Sequence, residues 1–244
     1  MHKSVTTATP DYGVDGSPIR VPLICIGVWV LTIVLLVFSN LVLRILGVVF
    51  LVYSLLFTIL TVKFIYYVNA GKLHLRDRLL SMVDWKGNET VLDIGTGRGL
   101  LMIGAAKKLT SGRSIGIDIW SQVDMYKNKP ENTLNNAQLE GVLNKVEVKN
   151  EDAQKVPFPD SYFDAILSNL CIHNIPTKEG RDKACLEIVR ILKPGGKAII
   201  ADAFHLKDYN RVFRSKGMST KILRAGFFET VTPWHKILKV SKQS

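Results

Sequence analysis

Acidic residues are in short supply in this chain. Aspartate and glutamate number 21 against 32 lysines and arginines, a formal net charge of +11 over 244 residues. Such a surplus suits an anionic surface, either nucleic acid or membrane headgroups. Cysteine is scarcer, with only Cys25, Cys171 and Cys185. No pair has metal-site spacing, and an odd count suits a reducing compartment. Internal repeats and low-complexity tracts are absent.

Two long stretches lack charge altogether, residues 21–39 and 45–62. A membrane span takes about 20 predominantly apolar residues, and both stretches are in range. The first is too long for a signal-peptide core and has no obvious cleavage site. Neither carries the polar face of a soluble helix. The expected organisation is a disordered cytoplasmic tail over 1–20 and a transmembrane helical hairpin over 21–68, with helices at about 21–39 and 45–66. An amphipathic connecting helix follows within 69–88, patterned over 73–83, and a soluble domain occupies 89–244. A monotopic hairpin, with Arg44 snorkelling to headgroups, is the alternative to a spanning one. Lys3 and Arg20 precede the hairpin, and Lys63, Lys72, Arg76 and Arg78 follow it. Both ends then face the cytoplasm, which implies an integral membrane protein with its soluble domain on that side.

Strand and helix signals alternate through the soluble part. Strands are expected at 90–94, 114–119, 146–148, 163–168, 197–203, 228–231 and 237–240. Helices are expected at 100–109, from Pro130, over 183–192 and over 207–224. The pattern predicts an α/β fold, a Rossmann-like, seven-stranded, mostly parallel sheet with helices on both faces. Ligands in such sheets bind beyond the carboxyl ends of the strands.

One of those ends reads "VLDIGTGRG", residues 91–99. A dinucleotide fingerprint needs a glycine where Leu100 stands, and no Gly-Lys-Ser/Thr phosphate loop follows. Asp93 would repel a pyrophosphate and attract an ammonium. Asp118 ends the next strand, where an acid accepts from ribose hydroxyls. An amino-acid tail, a ribose and no phosphate together describe S-adenosylmethionine.

"VLDIGTGRG", "GIDIW", "EDAQKVPFPDSYFDAILSNL" and "LKPGGKAII" resemble, in order and spacing, the motifs of class I S-adenosylmethionine-dependent methyltransferases. The branch they most resemble is related to the ubiquinone/menaquinone methyltransferases (methyltransferase type 11), and the resemblance covers roughly residues 75–241. It implies that Asp93, Gly95, Thr96 and Gly97 surround the methionine moiety, with Gly99 serving the site or close helix packing. By the same resemblance Asp118 holds the ribose, Ile119 and Trp120 lie against the adenine, Asp152 and Ala153 meet its amino group, and Asn169 sits beside the transferring methyl.

The segment after the fourth strand, Ser168–Asn174, offers His173 as a general base, since histidine titrates near physiological pH. Asn174 is a candidate for positioning the acceptor, and Cys171 is either a thiol near the site or a structural one. A histidine that only orders the loop is the competing reading of His173. Asp124, Tyr126, Lys127 and Lys129 form a polar connection suited to a flap. No metal-binding cluster is present. The basic last forty residues suit anionic headgroups better than nucleic acid, for which no recognition module is present. The implied activity is methyl transfer to an apolar or amphipathic small molecule, such as a quinone, sterol or lipid headgroup. A soluble acceptor, with the anchor serving only localisation, and a non-catalytic cofactor-binding scaffold are the alternatives. Oligomeric state is not encoded in any of these features.

Overall fold

A computed structural model describes residues 9–13, 20–37, 40–125, 127–230 and 232–243. Strands β1 (Thr90–Ile94), β2 (Arg113–Asp118), β3 (Val146–Asn150), β4 (Phe163–Asn169), β5 (Leu192–Asp202), β6 (Ser219–Arg224) and β7 (Lys236–Ser241) form one sheet. Their order is β3-β2-β1-β4-β5-β7-β6. The first five run parallel to one another, and β7 is antiparallel to both β5 and β6. Strand order reverses between β1 and β4, and the crevice beyond that switch point is the expected ligand site.

Both faces of the sheet are buried, so its central strands read as nearly unbroken apolar runs. Side chains alternate between the faces. Leu92, Ile94, Ile166 and Ile200 pack on one side, with Ile188 of α6 (Lys178–Ile191) and Tyr209 and Phe213 of α7 (Leu206–Ser215). Val91, Ala165, Leu167 and Ile199 pack on the other, with Leu75 and Leu79 of α3 (Lys72–Leu80) and Leu101 and Ala105 of α4 (Leu100–Ala106). Each large aliphatic side chain so buried contributes about 1.5–3 kcal/mol. The helix α5 (Pro130–Leu139) packs beside them through Ala137.

The helix expected over 207–224 ends at Ser215, and its second half is strand β6. Gly217, at φ +74°, takes the left-handed conformation that stops a helix. Residues 228–230, expected as a strand, lie in the turn between β6 and β7, and Val231 falls outside the described residues. The sheet therefore has the expected number of strands with a different sixth. Residues 11–13, within the tail expected to be disordered, lie against the domain. The rest of that tail, 1–8 and 14–19, is outside the described residues, as is Tyr126 of the flap.

Ahead of the domain, α1 (Arg20–Val37) and α2 (Leu41–Tyr66) pack as a hairpin. Both are long and apolar enough, by length and composition, to cross a membrane. Asn40 caps α2 by accepting from the amides of Val42 and Leu43 at 2.8 and 3.4 Å. Arg44, expected in the connection, therefore sits within the first turn of α2. A π-helical turn, Tyr67–Gly71, joins α2 directly to α3. The packing is inside out. Thr32 is the buried residue of α1, and Gly47, Ser54, Thr61 and Lys63 are those of α2. The Thr32 and Ser54 hydroxyls meet at 2.7 Å, and Trp29 Nε1 donates to Thr58 Oγ1 at 2.9 Å.

Candidate active site

The glycine turn leaves β1 and doubles back over the end of β2. The amides of Gly95 and Thr96 both donate to the Ile117 carbonyl, at 2.9 and 3.0 Å. Gly95 has φ +71° and Gly97 φ +50°, a region that other residues enter only with strain. At Gly95 a Cβ would collide with Cys171 Sγ and Cβ. Asp93 braces this turn from below. Its Oδ2 accepts from Thr96 Oγ1 and from the Met102 amide, both at 2.9 Å. Burial pushes the acid up to about 7; the two hydrogen bonds oppose that rise, and the nearby Asp118 charge adds to it. Such a carboxylate gains from a cation placed beside it.

Asp118 closes β2 with both oxygens engaged. Oδ2 accepts from the Gly97 amide at 2.8 Å, and Oδ1 from the Trp120 amide at 2.7 Å and Asn128 Nδ2 at 3.1 Å. A carboxylate has about four lone-pair positions, so capacity is left for a ligand hydroxyl. Asn128 is buried, and its own Oδ1 has no partner among the described residues.

These groups surround a cavity of about 220 Å³ at the switch point. Asp93, Gly95, Thr96 and Gly97 line it from β1 and its turn, and Asp118 and Ile119 from β2. Asp152 and Ala153 line it after β3, and Asn169 and Asn174 after β4. Asp152 is exposed and accepts from the Gln154 amide at 2.9 Å. Asn169 Oδ1 is buried and has no partner among the described residues. Of the flap, Asp124 reaches the cavity wall, together with Ser121 and Met125.

Three expected site residues stand off this wall. Gly99 caps α4, where a Cβ would press on Ile103 and Thr133, so close packing is its role. Trp120 takes a left-handed turn conformation, φ 57°, which leaves Ile119 as the wall residue after β2. The His173 side chain is directed at the end of β5. There His173 Nδ1 lies 2.6 Å from Asp202 Oδ1, and its amide donates to Asp202 Oδ2 at 3.2 Å. Phe204 packs 5.8 Å away, centroid to centroid. Also near Asp202 is His235, whose burial lowers its pKa to about 4 despite the attraction of that carboxylate, so it stays neutral. Cys171 is kept a thiol, first by burial and then by the charges of Asp118, Asp202 and Asp93.

Sequence reasoning missed Asp202, Asn128, Tyr12 and Lys72. Asp202 fell inside the strand expected over 197–203, although an acid near a strand end in this fold is a signal. Asn128 sits in the connection already marked as polar. Tyr12 and Lys72 line the cavity from outside the motif-bearing region, and nothing in their local sequence announces that.

Residues 92–200 match the family model described as a methyltransferase domain. Over 62 residues the chain is 39% identical to the ubiquinone/menaquinone biosynthesis C-methyltransferase UbiE of Vibrio cholerae, covering 25% of this chain and 23% of that protein. Over 128 residues it is 34% identical to the sterol 4-C-methyltransferase strm-1 of Caenorhabditis elegans, covering 51% of this chain and 34% of that protein. The chain thus spans about a third or less of the length of these curated relatives. Geranyl diphosphate C-methyltransferase of Streptomyces coelicolor, solved with Mg2+, geranyl diphosphate and S-adenosyl-L-homocysteine, superposes with a TM-score of 0.55 at 14% identity, covering 70% of this chain and 78% of that one. At that identity the likeness concerns the fold. Residues 92–200 thus match a methyltransferase domain, on a Rossmann-like fold shared with solved methyltransferases, and the match supports S-adenosylmethionine as the cofactor.

Proposed function

We propose that this chain is a membrane-anchored methyltransferase that passes a methyl group from S-adenosylmethionine to an apolar or amphipathic small acceptor, a quinone, sterol or lipid headgroup. The observation that carries this reading is the physical union of a cofactor cleft with an inside-out helical hairpin, through helix running unbroken from Leu41 to Leu80. Leu23, Ile26 and Val37 of α1 are 60%, 60% and 76% exposed. Apolar surface on that scale needs a cover, and lipid is the cover that lets small and hydroxyl-bearing residues form the helix contact. Aromatic and basic groups gather where α2 ends, as at a membrane interface. Lys63 Nζ lies 4.1 Å from the Phe227 ring centroid, and Tyr66 packs on Phe228 at 5.4 Å. Lys63, Lys72, Arg76 and Arg78 favour the cytoplasmic side for the domain. The basic C-terminal region, Lys207 to Lys242, is suited to anionic headgroups.

S-adenosylmethionine supplies a methyl already activated on a sulfonium, which the acceptor takes as the sulfur leaves as a neutral thioether. The chain's own work is alignment, where proximity contributes about 7–11 kcal/mol at best. Asp93 and Asn169 would face the methionine ammonium, with Gly95, Thr96 and Gly97 along that moiety. Asp118 and Asn128 would take the ribose hydroxyls. Ile119 and Ala153 would lie against the adenine, with Asp152 at its amino group. Asn174 positions the acceptor. Asp202 fixes the proton on His173 Nδ1 and leaves Nε2 to accept one from an acceptor that must lose it. Quinone and sterol acceptors are suggested by the names of the relatives.

The test is incubation of the purified chain with lipid and metabolite extracts and isotopically labelled S-adenosylmethionine, read by mass spectrometry. Label in an extractable apolar product supports the proposal. Label only in a water-soluble compound reduces the hairpin to an address. Cofactor binding with no label transferred points to a scaffold.

A further inference from the structure

We propose that residues 10–13 are a strap that completes the S-adenosylmethionine site, clasped by Lys72, so that the peptide ahead of the hairpin and the helix behind it close on the cofactor together. This rests on the cofactor site and needs neither the acceptor nor the membrane.

The strap is held at every residue from Asp11 to Gly13. The Asp11 amide donates to Asn136 Oδ1 at 3.0 Å, and Asn136 Nδ2 donates back to the Asp11 carbonyl at 2.9 Å. That is the pairing one strand offers another, supplied here by a single side chain of α5. The Asp11 carboxylate pairs with Arg98, inside the glycine turn. Tyr12 is 7% exposed and packs with Met102, Ile103, Ala106, Ala137 and Val142. Its hydroxyl donates to Glu140 Oε1 at 2.8 Å. The Gly13 carbonyl accepts from Lys72 Nζ at 2.8 Å.

Tyr12, Gly13, Lys72 and Arg98 all line the cavity that Asp93 and Asn169 line. Arg98 and Lys72 bring two positive charges to this wall, and Asp11 offsets one. A net positive charge there complements the carboxylate of an amino-acid tail, while Asp93 and Asn169 Oδ1 suit its ammonium. The two halves match a zwitterion. Tyr12 and Gly13 precede the hairpin in the chain and Lys72 follows it, so chain from either side of the hairpin lines this cavity.

Linkage makes the proposal testable from two sides, since a strap that strengthens cofactor binding must itself be stabilised by the cofactor. In the full-length chain in detergent, S-adenosylhomocysteine should slow amide hydrogen exchange over residues 11–13. By calorimetry, the Kd of S-adenosylhomocysteine should rise about tenfold or more, a change of roughly 1.4 kcal/mol per decade, both in a chain lacking residues 2–13 and in Lys72→Met. A full chain that binds S-adenosylhomocysteine without slowed exchange over 11–13, or variants that keep their Kd within about twofold, overturns the strap. Where the shortened chain does not fold, exchange in the intact chain and the Lys72→Met affinity decide. A full chain that binds no S-adenosylhomocysteine overturns the cofactor site, and the strap with it.

Discussion

Asp202 grips His173 twice, with Oδ1 2.6 Å from the imidazole Nδ1 and Oδ2 accepting from the His173 backbone amide at 3.2 Å. Ring and peptide are thus fixed by one buried carboxylate at the end of β5, which also accepts from the Ala203 amide at 2.8 Å. The neighbouring residue, Asn174, lines the cavity at the switch point. Adjacent positions on one 3-10 turn, Ile172–Asn174, therefore belong to the cavity wall and to the histidine–aspartate pair.

If His173 takes the acceptor's proton, His173→Ala should lower turnover by about 10²–10⁴-fold and leave the Kd of S-adenosylhomocysteine unchanged. Asp202→Asn should lower turnover in the same direction, because an amide cannot hold the imidazole in the required tautomer. Conservation of kcat in both variants, measured with the labelled cofactor, removes the pair from the chemistry.

Asp93 predicts a pH dependence. Its folded pKa of about 7 lies above the unfolded value of about 3.9. The unfolded chain therefore gives up this proton first. Stability from this group is full below about pH 4, is lost as pH rises, and is gone above about pH 7. Asp93→Asn removes that loss, so the melting temperature of the variant relative to the native chain should be higher at pH 8 than at pH 5. If Asp93 faces the cofactor ammonium as proposed, the variant's affinity for S-adenosylhomocysteine should fall, because that ammonium would lose its counter-charge. Native affinity should rise from pH 6 to pH 8. Equal pH profiles for the two melting curves would contradict the assignment.

Gly95→Ala should be destabilising by about 1–3 kcal/mol or more, from a left-handed backbone and a collision with Cys171. The added Cβ would clash with the Cβ of Cys171 as well as its sulfur. Cys171→Ala should therefore fail to rescue it. Denaturant unfolding of the single and double variants measures this, and recovery of the native midpoint in the double variant would show that only the sulfur matters.

The hairpin predicts fractionation. Alkaline carbonate should leave the full chain in the membrane pellet, and removal of residues 20–66 should release the remainder to the supernatant. If the hairpin spans a membrane, Ser54→Ala should cost about 0.6 kcal/mol, because it removes the partner of the Thr32 hydroxyl, as read by the thermal stability of the purified chain. Complete extraction of the intact chain by carbonate would refute the anchor.

Much of the central sheet is legible in the sequence because its signals are local. Apolar runs bounded by Gly and Pro mark β1, β2 and β4, and the acids Asp93 and Asp118 lie where those strands stop. The sixth strand is misplaced for a local reason as well. Gly217 breaks the helical pattern, yet Lys221–Arg224 continues it closely enough to hide a short edge strand. Trp120 illustrates a subtler failure, since its position after β2 is right but its φ of 57° decides where the side chain goes.

From the sequence alone came the alternating α/β order, the two long uncharged stretches and the expectation of a cleft suited to an ammonium and a ribose. Those features depend on periodicity, on residue charge and on the few conformations glycine alone adopts easily. Only the tertiary structure decided what meets at the cleft from afar. Asp202 reaches His173 across 29 residues, and Asn136 pairs with Asp11 across 125. Such contacts follow from strand order and helix packing, which bring distant segments together without leaving a local mark in either one.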